Sequence, residues 1–212
     1  EQAMLEEIPT TKGKLLLLGV GGGREAIVLA KRGFEVTGVD FIPAMVERAK
    51  ANATQRGTSI EGFVQEISVL DVPADSYDVV WISRTMYSCI PTRTRSVEMV
   101  RRIHQSLKPG GYFVCPFYWD PRAFDSNKAT FLRRLFAFLT LGNHSYERGD
   151  FLWLNVEFLH AFSSEEAIQS ELAEGGFTSL QFIISSNNPS VSFSSAIISA
   201  RISSRVRIGV GL

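Results

Sequence analysis

Four glycines and one aspartate are spaced to hold a sugar-bearing ligand against bare backbone. Gly19, Gly21, Gly22 and Gly23 fall directly after the apolar run Leu15 to Leu18, and without side chains they let a ligand lie on the main chain itself. Asp40 ends the segment Phe34-Glu-Val-Thr-Gly-Val-Asp40. Its carboxylate is thereby expected at the carboxyl edge of a neighbouring strand, where a ribose diol can donate two hydrogen bonds to it. The spacing leaves two registers for the glycines. The dinucleotide form Gly-x-Gly-x-x-Gly fails from Gly19, because Arg24 stands where a small residue is needed, whereas Gly21-x-Gly23-x-x-Ala26 satisfies the looser form. Gly19-x-Gly21-x-Gly23 follows the strand with no shift.

The elements that must position these residues alternate along the chain. Strands are expected near 14–18, 34–39, 60–65, 77–82 and 111–117, with helices at Glu25–Arg32, Pro43–Gln55 and Arg95–Leu107. Pro43 suits a first helical turn. In the third helix Val97, Val100, Ile103 and Leu107 fall on one face. Alternation of this kind specifies a parallel sheet with helices on both faces and ligands outside the carboxyl ends of the strands. After Phe117 the pattern changes. Residues 125–141 read as an inserted helix, and Ser164 to Glu174 as another, capped by Ser163 or Ser164 with Glu165 and Glu166 in its first turn. Phe177–Ile184 and Val191–Arg201 are expected to form an antiparallel hairpin around Asn187-Asn188-Pro189.

Three further motifs follow the glycine loop in order: Phe63-Val-Gln-Glu-Ile-Ser-Val-Leu-Asp-Val-Pro73, Ser76-Tyr-Asp-Val-Val-Trp-Ile-Ser83 and Leu107-Lys-Pro-Gly-Gly-Tyr-Phe-Val-Cys115. In Lys108-Pro109-Gly110-Gly111 the proline stops the preceding helix, and the glycines allow positive backbone angles before the chain re-enters the sheet. With these motifs the chain resembles the class I S-adenosylmethionine-dependent methyltransferases over its first half.

The resemblance implies an α/β fold, a doubly wound seven-stranded mostly parallel sheet with helices on both faces and an antiparallel C-terminal hairpin. It also implies a site. Gly19, Val20, Gly21 and Gly23 would hold the methionine end of the cofactor, its carboxylate at the start of the Glu25 helix. Asp40 would hold the ribose, Phe41 and Met45 would flank the adenine, and Glu66 with the backbone of Ile67 would read its edge. Ser83 and Tyr87, with the residues between them, would lie beside the transferring methyl. S-adenosylhomocysteine would be the product. One position departs from the family pattern: Leu17 stands where an acidic residue usually precedes the first glycine. Either Arg24, Glu25 or Ser83 supplies the missing polar contact, or the fold persists with weak or absent cofactor binding. No catalytic residue is assigned, since a sulfonium methyl is already electrophilic and placement of the nucleophile is the main task. His144 and His160 are candidate bases, His160 being placed more readily in a strand.

Composition agrees with one domain over residues 1–212, with an insertion at about 119–160. At 212 residues and 45% hydrophobic the chain can bury a substantial core. Lysine plus arginine and aspartate plus glutamate number 22 each, so no global field draws in nucleic acid or an anionic membrane. Cys89 and Cys115 lack Cys-x-x-Cys spacing and read as reduced core residues, with neither a zinc site nor any other metal site expected. No signal peptide or membrane span is recognised, and a cytoplasmic, soluble protein is expected.

The insertion is rich in aromatics, among them Trp119, Phe124, Phe131, Phe136, Phe138, Tyr146, Phe151 and Trp153. It reads as a lid over the methyl-donor end, next as a homodimer face, and last as a lipid contact through Arg133-Arg134. The leading expectation is methyl transfer to an oxygen, nitrogen or carbon of a small, partly apolar or aromatic molecule. Its rivals are a nicotinamide-dependent oxidoreductase using the shifted glycine register and a methyltransferase-like binding module without catalysis.

Overall fold

The computed structural model describes residues 12–84, 86–120, 131, 132, 135, 147, 149–153, 157–185 and 194–201. Leu15, Leu16, Leu17 and Leu18 are all fully buried, and their strand β1 (Gly13–Leu18) occupies the middle of the sheet. Successive strand side chains point to opposite faces. Leu16 and Leu18 accordingly enter one apolar cluster while Leu15 and Leu17 enter a second. A strand buried on both sides needs helices above and below it.

The parallel strands are β1, β2 (Phe34–Asp40), β3 (Glu61–Val64), β4 (Tyr77–Ile82) and β5 (Leu107–Trp119), joined by helices α1 (Arg24–Lys31), α2 (Pro43–Gln55) and α3 (Arg93–Ser106). Strands β6 (Asp150–Trp153) and β7 (Glu157–His160), helix α4 (Glu165–Glu174), and strands β8 (Ser179–Ser185) and β9 (Ser194–Arg201) follow. The main sheet runs β3-β2-β1-β4-β5-β9-β8. Ala26, Leu29, Val46 and Ala49 of α1 and α2 cover one face, and Met99, Val100, Ile103, Ile168 and Leu172 of α3 and α4 cover the other. Strand order reverses between β1 and β4, which opens a crevice at their carboxyl ends.

Five strands are parallel, as the alternation predicts, and β9 joins β5 antiparallel, with β8 antiparallel to β9. Residues 186–193, which hold the expected Asn187-Asn188-Pro189 turn, lie outside the described residues, as does most of the expected helix at 125–141. Within that helix Phe131, Leu132 and Leu135 are helical and exposed. His144 and the aromatics Phe124, Phe136, Phe138 and Tyr146 also lie outside the described residues.

Two local expectations change. Lys108-Pro109-Gly110-Gly111 is the irregular start of β5 and not a separate turn, with a register shift opposite Tyr77 and Val79. Burial of Leu107 and the 2.8 Å bond from Lys108 Nζ to Asp78 Oδ2 draw that segment onto β4. Strands β6 and β7, paired as a separate antiparallel sheet, are new. Ser164 caps α4, its Oγ accepting from the Ala167 amide at 3.3 Å. Helix α3 has no cap from its own Thr92; instead Glu147 Oε2 accepts the Arg93 N–H at 2.9 Å. Among the described residues no helix is long and apolar enough to cross a membrane.

Candidate cofactor site

Where β1 ends, the glycine turn is bonded to the end of β2. The Gly19 and Val20 amides both donate to the Val39 carbonyl, at 2.8 and 2.9 Å. Gly19, Gly21 and Gly23 take φ values of +81°, +49° and +85°, a left-handed region that side chains disfavour, which accounts for glycine at alternate positions. The three differ in what surrounds them. A Cβ on Gly23 would stand 3.0 Å from Ala49 Cα in α2, whereas one on Gly21 would meet nothing within 4 Å. Gly19 is covered by Met86, whose thioether sulfur would lie 2.0 Å from an added Cβ. Open space above Gly21 is therefore the place where the loop faces outward.

Asp40 reaches this loop. It is only 8% exposed, its Oδ2 accepting from the Gly21 amide at 2.9 Å and its Oδ1 from the Ile42 amide at 3.1 Å. Beside it Phe41 is 63% exposed and Met45 half-buried, an apolar rim at the edge of a polar cradle. The Gln65 amide donates to the Asp40 carbonyl at 2.9 Å, which brings the end of β3 alongside. There Ile67 is buried in the core and Glu66 is half-exposed. Glu66 Oε1 accepts from Arg95 Nη2 and from Ser68 Oγ. Arg95 is the contact that sequence reasoning missed, since it comes from another element.

Ser83 follows β4, and its amide donates to the Leu18 carbonyl at 2.9 Å. The side chain is 4% exposed and its Oγ has no partner among the described residues. A buried hydroxyl left unpaired costs about 1–3 kcal/mol, which makes this atom a candidate acceptor or donor for a polar ligand group. Helix α1 adds amide donors: its cap is Gly23, which offers no side-chain acceptor to its first turn. Glu25 sits in that turn, paired with Arg24 at 3.0 Å. Leu17 is fully buried among Val20, Val36 and Trp81, which leaves the family's usual acidic position as core.

Tyr87, expected beside the transferring methyl, is a core residue. It is buried in the larger apolar cluster, its ring 5.9 Å from Phe162 and its hydroxyl donating to Glu171 Oε2 at 2.7 Å. His160 ends β7 as a strand residue, with Nδ1 2.7 Å from Asp150 Oδ1 and its ring edge-on to Phe162. No group of three or more His, Cys, Asp or Glu able to hold a metal occurs among the described residues. A cavity of about 590 Å³ bordered by Lys14, Thr37, Glu61 and Tyr77 lies at the opposite, amino edge of the sheet and shares no residue with the glycine loop.

The arrangement offers helix-start amides for an anion, a carboxylate for a diol, an apolar rim, a second carboxylate and one partnerless hydroxyl. A solved structure of an S-adenosylmethionine-dependent methyltransferase from Methanosarcina mazei superposes with a TM-score of 0.72 at 19% identity, covering 94% of this chain and 97% of that one. Residues 15–111 match the family model described as a methyltransferase domain. The chain has the class I S-adenosylmethionine-dependent methyltransferase fold.

The chain is 33% identical over 131 residues to an uncharacterized methyltransferase of Synechocystis, covering 58% of the chain and 59% of the relative. It is 33% identical over 108 residues to a ubiquinone biosynthesis O-methyltransferase of Coxiella burnetii, covering 50% of the chain and 44% of the relative. The chain thus spans about half the length of these two curated relatives. The matched region of the family model holds every residue of the cradle, from Gly19 to Ser83.

Proposed function

We propose that this protein moves the methyl group of S-adenosylmethionine to an oxygen, nitrogen or carbon of a small molecule with apolar or aromatic character, releasing S-adenosylhomocysteine. The observation that carries the reading is the pair Gly21 and Asp40: a left-handed glycine facing open space, its amide held by the carboxylate that would take the ribose.

The residues present fit the cofactor. Gly19, Val20, Gly21 and Gly23 leave the backbone bare, and the α1 amides receive its carboxylate. Ser83 Oγ accepts from its ammonium group, taking over at the position where Leu17 cannot serve. Each Asp40 oxygen accepts one amide bond and keeps lone-pair capacity for the ribose diol. Phe41 and Met45 cover the adenine, while Glu66 and the backbone of Ile67 read its edge. Bound in this way the sulfonium supplies an electrophilic carbon, and the chain's task is to hold an acceptor in line with it. A ring hydroxyl is the first acceptor to test, because the Coxiella burnetii relative is named as an O-methyltransferase. The segment at about 119–160 is proposed as the cover over the acceptor, within one domain.

Titration calorimetry with S-adenosylmethionine, S-adenosylhomocysteine and NAD tests the reading. Binding of the first two, lost in Asp40→Ala, is the expected result. Failure of both to bind overturns the proposal, and tight binding of NAD instead would favour a nicotinamide-dependent oxidoreductase. Binding without methyl transfer to any hydroxylated aromatic acceptor would favour a non-catalytic module.

A further inference from the structure

We propose that Arg95 and Ser68 form a clamp on one oxygen of Glu66, so that the other oxygen selects an amino group on the purine ring of the cofactor. The inference rests on the function proposed above and makes Arg95 a positioning residue for base specificity.

Arg95 stands in the first turn of α3, away from the motifs of the site, yet its Nη2 donates to both Glu66 Oε1 and Ser68 Oγ, the latter at 2.7 Å. Ser68 is itself 4% exposed and passes its own proton to the same Oε1. Two donors therefore converge on one carboxylate oxygen, and no hydrogen bond from a described residue reaches Oε2. The convergence fixes a side chain that is otherwise half in solvent. A free glutamate would lose rotamer freedom when a ligand immobilised it; one held beforehand avoids most of that loss.

Placement supports the same reading. Glu66 lies one residue beyond Gln65, whose amide is tied to the Asp40 carbonyl, and Phe41 stands exposed beside that tie. A purine extending from a ribose on Asp40 across Phe41 meets the end of β3, where Oε2 is the available acceptor. An ionised carboxylate only accepts hydrogen bonds. The clamp therefore favours a 6-amino purine and disfavours a 6-oxo one, whose oxygen brings a lone pair to a lone pair.

The test compares S-adenosylhomocysteine with S-inosylhomocysteine, in which oxygen replaces the 6-amino group, by titration calorimetry on the wild type and on Arg95→Met, Arg95→Lys and Ser68→Ala. The wild type is expected to prefer the adenosyl compound, and Arg95→Met to shrink that preference about tenfold by weakening the adenosyl compound alone. Ser68→Ala should shrink it less, and Arg95→Lys should recover part. A wild type with no preference, or variants in which both affinities fall together, overturns the clamp and leaves the proposed function standing. A wild type that binds neither compound overturns the proposed function and the clamp with it, and the wild-type titration alone reveals this.

Discussion

Tyr87 and Glu171, 84 positions apart, share a 2.7 Å hydrogen bond inside the core. The turn after β4 supplies the phenol and α4 the carboxylate, so the bond closes the sheet against its outer helix. Burial raises the Glu171 carboxyl above the ordinary glutamate value of 4.5, and the Tyr87 bond only partly offsets that. The folded protein then holds this proton more tightly than the unfolded chain, and stability falls as pH rises from the ordinary value through the raised one. Urea midpoints measured across this range are expected to show that loss in the wild type and a flatter profile in Glu171→Gln. Parallel profiles would show that Glu171 is not the source.

Gly21→Ala and Gly23→Ala should separate ligand binding from folding. Both positions have positive φ, a strain of about 1–2 kcal/mol for alanine. At Gly23 the added methyl also meets the α2 backbone, so Gly23→Ala should lower the melting temperature more. At Gly21 the methyl enters open space; its main effect should be a large loss of S-adenosylhomocysteine affinity, read by calorimetry.

Asp40→Ala removes the acceptor of two amide bonds as well as the proposed ribose contact. Bonds to a charged partner contribute about 1.5–3 kcal/mol. Chemical denaturation should show a loss of that order, and cofactor binding should disappear. Asp40→Asn keeps one acceptor oxygen and should recover part of the stability with less of the binding.

Restoring the family's acidic residue by Leu17→Asp should harm the protein. Leu17 is fully buried among apolar side chains, where an unpaired carboxylate is expected to cost about 3 kcal/mol or more. The variant should lose its cooperative melt or show a much lower midpoint. A stable variant with tighter S-adenosylmethionine binding would instead show that position 17 still opens to the ligand.

How far the sequence could be read depended on whether the controlling contact was local. Helix α2 starts at Pro43 and ends at Gln55 as expected because proline at the first turn and a regular apolar spacing act within a few residues. The glycine spacing was equally legible, since three positive φ values leave little alternative. Glu66 was legible as a position but not in its bonding, because Arg95 arrives from α3, 29 residues later. The surroundings of Tyr87 were not legible for the same reason: Phe162 and Glu171, which pack against it, come from the far side of the insertion. Strands β6 and β7 have four residues each, too few for a period to emerge from an aromatic stretch.

Strand β9 lies between β5 and β8 although it follows both in the chain. All the proposed cofactor contacts, and Arg95, emerge from the ribosome before β5 is finished, so the nucleotide half can assemble early. The 13-residue β5 must then wait, one edge bare, until its partner appears roughly 75 residues further on. At typical synthesis rates that is about 4–15 s. An open edge for that long is a template for unwanted pairing, and β9 is the strand that closes it.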